Sequence, residues 1–204
     1  MHRHKYLMIL DGYMESWGEA SYPGKRARED EIAYLTIRDF ITTRADGFER
    51  TCEPGHITGS ALVVTSDLSR VLLTHHAKLD KWLQLGGHAD GDPEIARVAL
   101  REAEEESGLT DLRFFPQSDL FPDAEDVIPF DLDCHMIPAR GDEPEHVHHD
   151  TRFVLLTDHP DSIQISDESH DLRWFTWEEA RRVTEERSML RQFDKMSWII
   201  ERLQ

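Results

Sequence analysis

Gly86-Gly87-His88-Ala89-Asp90-Gly91-Asp92-Pro93-Glu94-Ile95-Ala96-Arg97-Val98-Ala99-Leu100-Arg101-Glu102-Ala103-Glu104-Glu105-Glu106-Ser107-Gly108-Leu109 opens with a glycine pair and closes a dense carboxylate block with another glycine. Asp92 is a good N-cap, and Pro93 sits at the first helical position, where its missing N–H costs nothing. Glu94 in the first turn suits the helix dipole. Gly108 reads as the left-handed stop, so the spacing predicts a helix over 93–107. At helical periodicity Glu102, Glu105 and Glu106 fall within one arc of roughly 100°. Ala96, Ala99, Leu100 and Ala103 form a neighbouring small-residue arc suited to close packing on a sheet. Like charges three or four residues apart cost a bare helix about 0.2–0.5 kcal/mol per pair, so the cluster calls for a cation. Hard oxygen ligands favour Mg2+ or Mn2+ over zinc.

From Gly87 onward the stretch resembles the Nudix box, Gly-x5-Glu-x7-Arg-Glu-U-x-Glu-Glu-x-Gly-U, where U is a bulky aliphatic residue. Gly87, Arg101, Glu102, Glu105, Glu106, Gly108 and Leu109 stand in register. Pro93 departs from the pattern where the first glutamate belongs, and Ala103 departs at the first aliphatic position. In the family that glutamate helps to orient the arginine; Glu94, one residue late and on Arg101's side of the helix, is a candidate substitute. The resemblance implies an α/β fold, a Nudix-like α/β/α sandwich with a mixed β-sheet, over about residues 55–204. Residues 1–54 are then an N-terminal extension with one helix. It also implies Mg2+- or Mn2+-dependent hydrolysis of a nucleoside diphosphate linked to another moiety. Carried onto this chain, Glu102, Glu105, Glu106 and the Gly86 carbonyl become the metal ligands. Glu102 or Glu105, or an acid on a distant loop such as Glu168, handles the proton of the attacking water.

Composition sets limits. The chain has 204 residues, enough for one well-buried domain with an extension. A net charge of −18 argues against nucleic acid as a general partner, because phosphate backbones need a basic footprint. A small nucleotide-type diphosphate is compatible only if divalent cations bridge it to the carboxylates. No apolar run approaches the ~20 residues of a membrane span. Tyr6–Leu10 is too short for a signal core, and Cys52 and Cys134 form no Cys-x-x-Cys motif. A reducing cytoplasm is the expected compartment.

Outside the box, Tyr6–Leu10 reads as a short strand or helix turn and 21–24 as a loop. Residues 28–43 repeat Ala33, Ile37, Phe40 and Ile41 at helical spacing. That helix either packs on the core or builds a homodimer interface. Residues 57–65 and 70–74 read as a hairpin. Leu83 to Gly87 makes a strand running into a glycine turn. Strands follow over 112–115, 130–137, 151–157 and 171–176, with loops at 119–126 and 139–149. Thr176 caps a short helix, and a final helix over 186–203 carries a core stripe of Met189, Phe193, Met196, Ile200 and Leu203. Trp82 reads as core or as a lip for a base; Lys78 and Lys81 read as solvated lysines or phosphate contacts.

His146, His148, His149 and Asp150 form a second cluster. Alternation on an extended chain turns His146, His148 and Asp150 to one face, where they line a substrate pocket or, with His75 or His76, bind a transition metal. His148 is the pocket candidate. Arg152 extends the same face and either binds substrate phosphate or pairs with a nearby acid. Two other function classes are weaker. A ligand-binding Nudix module would show a broken carboxylate cluster. A diphosphate isomerase would need a nucleophilic cysteine, for which Cys134 on a strand is a poor candidate.

Overall fold

The computed structural model describes residues 2–18, 20, 27–117, 120–121, 127–141, 144–167 and 169–203. The proposed loop at 21–24, most of the one at 119–126, and Glu168 lie outside them. The elements are α1 (His2–Trp17), α2 (Ala27–Thr43), β1 (Gly55–Thr65), β2 (Arg70–His76), β3 (Lys81–Leu83), β4 (Leu85–His88), α3 (Ile95–Ser107), β5 (Arg113–Phe114), β6 (Asp131–Ile137), β7 (His146–Thr157), β8 (Ser169–Thr176), α4 (Trp177–Val183) and α5 (Arg187–Leu203).

A mixed, eight-stranded sheet is built on the parallel pair β1 and β7, in register from Gly55↔Val147 to Thr65↔Thr157. Each of these long strands changes partner on its outer edge. β1 pairs with β4 through residues 58–61 and with β2 through 63–64. β7 pairs with β6 over 146–152 and with β5 at 155–156. The sheet therefore divides into two halves, and the half made of β4, β1, β7 and β6 carries the polar chemistry.

Strand alternation separates two faces. A Cβ on Gly59 would lie 2.9 Å from the Ile95 carbonyl oxygen and 3.1 Å from the Ala99 nitrogen. The odd-numbered face of β1 is thus pressed against α3, which buries Ile95, Val98, Ala99 and Ala103 there. His56, Thr58 and Ser60 turn to the opposite face, together with their register partners on β7, β4 and β6. α5 covers part of that face: Arg191 pairs with Asp131 at 2.7 Å and Asp133 at 3.3 Å.

The N-terminal segment holds two helices. Tyr6–Leu10 belongs to the 16-residue α1, whose Tyr6, Leu10, Tyr13 and Trp17 are all buried in the common core. Its stripe escapes a periodicity reading because Leu7, Met8, Ile9 and Met14 place apolar residues on the other faces as well. α2 buries Ala33, Ile37 and Ile41 in the same core, and Phe40 stacks on His149 at 4.1 Å. Lys195 of α5, fully buried within a stripe otherwise legible as core, lies 3.9 Å from the Trp17 ring and bonds the Phe130 carbonyl. β7 starts at His146, so the second half of the expected 139–149 loop is strand. The capping box at Thr176 and Glu179 is present as the sequence suggests.

Candidate active site

The glycine pair lies inside β4 rather than in a turn, with Gly86 opposite Ser60 and Gly87 opposite Gly59. Gly86 has φ +154°, and a Cβ there would stand 2.6 Å from the Ser60 Cα, so backbone meets backbone too closely for any side chain. A Cβ on Gly87 would fall 2.2 Å from Glu102 Oε2. The first pair of the motif thus makes the space into which the Glu102 carboxylate is laid. Glu106 reaches the same corner, its Oε2 accepting the Gly86 N–H at 3.2 Å.

α3 starts two residues later than expected, at Ile95, because Asp92 accepts the Glu94 N–H at 2.9 Å and also chelates Arg97. Gly108 ends the helix at φ 70°. Glu94 does not substitute for the missing glutamate of the box: it pairs with Lys5 of α1 at 2.5 Å. Arg101 is held instead by the His88 carbonyl at 3.2 Å and by Glu102 Oε1 at 2.6 Å.

Burial raises the Glu102 carboxyl above its ordinary value, against the pull of Arg101, and the neighbouring Glu105 and Asp90 add to the rise. That is the signature of excess negative charge in a partly dry place. Asp90, with φ 47°, joins the site although the sequence reading passed over it; its signal is an acidic residue in the Ala-Asp-Gly-Asp turn below the helix. Glu105 is exposed. The glutamate oxygens do not draw within 4.8 Å of one another as a set of three; among the described residues only His56, His88 and His148 do so. Like charges on adjacent turns of one helix face repel one another. The donor set still fits a hard divalent ion: carboxylates one helical turn apart, one desolvated, beside a glycine corner.

On the other face, Asp150 is buried and accepts from Thr58 at 2.9 Å, Ser60 at 2.7 Å, Gln84 at 3.1 Å and Arg152 Nε at 2.7 Å. Arg152, expected to offer its guanidinium to a substrate, is 3 % exposed and is paired with Asp131, Asp133 and Asp150. Its other reading, an ion pair with nearby acids, describes what it does. These pairs hold Asp133 well below the usual carboxylate range in spite of its burial. His148 does share a face with His146, but its companions are His56 and His88. His75 stacks on Trp82 and meets Asp80 at 3.2 Å instead. Burial pushes the Cys134 thiol up to about 12, with Asp133 and Asp150 adding to the effect, which keeps it protonated and unsuited to nucleophilic attack.

The NUDIX domain family profile matches residues 55–193. The chain belongs to the Nudix hydrolase family. With that membership comes the enzyme class, a Nudix-type pyrophosphohydrolase. Among solved structures, an Ap4A hydrolase from C. elegans in a binary complex is similar at 19% identity and a TM-score of 0.54, covering 71% of this chain and 97% of its own. RenU, a Nudix hydrolase from M. smegmatis, is similar at 16% identity and a TM-score of 0.51, covering 73% and 88%. No curated protein matches the chain. The Nudix match begins at Gly55, the first residue of β1, so α1 and α2 are additions to it.

Proposed function

We propose that this Nudix enzyme is a divalent-metal-dependent hydrolase of a diphosphate bond in a small nucleotide-type substrate, with Mg2+ or Mn2+ held by Glu102, Glu105, Glu106 and the Gly86 carbonyl. The observation that carries the reading is the Gly86–Gly87 corner, which receives Glu102 and Glu106 from the carboxylate face of α3. A bound divalent ion there supplies polarisation of a phosphoryl oxygen and a water of lowered pKa. Arg101 fixes the orientation of Glu102 through its 2.6 Å contact. Exposed Glu105, on the same arc, takes the proton of the attacking water. Asp90 adds to the negative field that attracts the cations. Neither Arg152 nor Cys134 has a chemical role in this scheme.

The test is a hydrolysis screen over ADP-ribose, nucleotide sugars, dinucleoside polyphosphates and nucleoside triphosphates, read as phosphate or monophosphate release. Ap4A belongs in it as the substrate named for one structural neighbour. Turnover of at least one diphosphate with Mg2+ or Mn2+, abolished by chelator, is expected. Hydrolysis unaffected by chelator would overturn the metal assignment.

A further inference from the structure

The second chemical cluster lies on the face of the sheet turned away from α3. His56 of β1 stands in register with His148 of β7, and His88 of β4 is opposite Thr58, one residue pair along. The ring centroids of His56, His88 and His148 are 4.8–5.2 Å apart. One ring nitrogen from each of the three lies within 4.8 Å of the others. His146 joins them, stacked on His56 at 4.9 Å, with its Nε2 3.2 Å from His148 Nε2.

A hydrophobic filler would pack here at less cost. His56 is 2 % exposed, and neither of its ring nitrogens has a hydrogen-bond partner among the described residues. Leaving a buried polar group unmade costs about 1–3 kcal/mol, so the arrangement is that of a site waiting for a ligand. Imidazole lone pairs converging on one point are what a single metal ion takes up. Tetrahedral zinc with bonds near 2.0–2.1 Å sets neighbouring nitrogens about 3.3 Å apart, inside the 4.8 Å within which one nitrogen from each of these three rings lies. His146 Nδ1 lies 2.9 Å from the Pro144 carbonyl oxygen, a contact that places its proton on Nδ1 and the Nε2 lone pair toward the cluster.

We propose that His56, His88 and His148, with His146 beside them, bind one first-row transition-metal ion, best matched by Zn2+, at a site separate from the glutamates of α3. Imidazole nitrogens suit zinc, cobalt or nickel, whereas Mg2+ demands oxygen ligands, so the two sites select different ions. The ion bridges β4, β1 and β7, the three strands that set the position of the glycine corner. It therefore acts as a clamp on the polar half of the sheet.

The test uses the full chain, stripped of metal by chelator and then titrated with Co2+ and Zn2+. One equivalent of Co2+ should give a tetrahedral visible absorption band that Zn2+ removes and excess Mg2+ does not, and the melting temperature should rise with Zn2+. His148→Ala and the half-exposed position variant His88→Ala should weaken binding by more than the 10–100-fold that loss of a merely supporting group costs. Glu105→Gln should leave Co2+ binding unchanged. Absence of the band and of any thermal shift in the wild-type chain overturns the proposal, as does binding that survives the histidine variants and disappears in Glu105→Gln. Because the readout is spectroscopic and thermal, it is independent of whether the diphosphate reading holds.

Discussion

Glu102, a proposed metal ligand, departs from what stability alone would select. Its carboxylate is laid over Gly87, half-hidden from water, and it is pushed toward the protonated form by burial first and by Glu105 and Asp90 next. The sign of the pH effect follows. A carboxyl whose folded pKa lies above its unfolded value favours the folded state when protonated, in acid, and loses that contribution as pH rises through the folded pKa. At neutral pH the ionised side chain is a net liability in the metal-free protein. Glu102→Gln should then raise the metal-free melting temperature at pH 7 by about 1–3 °C, with the gap closing as pH falls into the acid range. A parent protein that melts higher than the variant at pH 7 in chelator would contradict the assigned cause. Thermal melts across that range decide it, and the same variant should be impaired in turnover, a trade-off common at working sites.

At the scale of the elements, α1 is the part whose weight exceeds its appearance. Tyr6, Leu10, Tyr13 and Trp17 are each 0–1 % exposed, and Tyr6 Oη meets Thr151 Oγ1 on β7 at 2.6 Å. Fully burying such side chains is worth roughly 1.5–3 kcal/mol apiece, so four of them rival the roughly 5–15 kcal/mol by which a whole domain is stable. Deletion of residues 1–18 should therefore leave residues 55–204 without a cooperative melt, measured by circular dichroism. A truncated protein melting within a few degrees of the parent would show that α1 is dispensable. α1 was the least legible element in the sequence: Tyr6, Leu10, Tyr13 and Trp17 recur at helical spacing, but Leu7, Met8, Ile9 and Met14 put apolar residues on the other faces and blur the stripe. By contrast α3, the β1–β2 hairpin and the α4 cap were legible because each carries local chemistry: a glycine stop, a run rich in β-branched and aliphatic residues, a threonine N-cap. The candidate site divides the same way. The glutamates share a helix, so their spacing reveals them, whereas His56 and His88 join His148 only through strand pairing across up to ninety-odd residues, which no local pattern announces. Arg152 stayed between two readings, substrate contact or ion pair, for the same reason: Asp131 and Asp133, two of its partners, sit on another strand.

For the whole molecule the governing quantity is charge. A chain of net charge −18 repels a diphosphate, and the described surface offers few lysines or arginines that are not already paired near the corner. In the proposed scheme divalent cations reconcile the acidic helix with an anionic substrate, and the two faces of the sheet set the glutamates on one side and the imidazoles on the other. No described helix is long and apolar enough to cross a membrane. The most direct measurement is turnover of the best diphosphate from the screen by wild type, Glu105→Gln and Glu106→Gln, at saturating Mg2+ with folding checked by melting temperature. Both variants should retain the fold and lose turnover by orders of magnitude; near-wild-type rates in both would contradict the metal-dependent hydrolase.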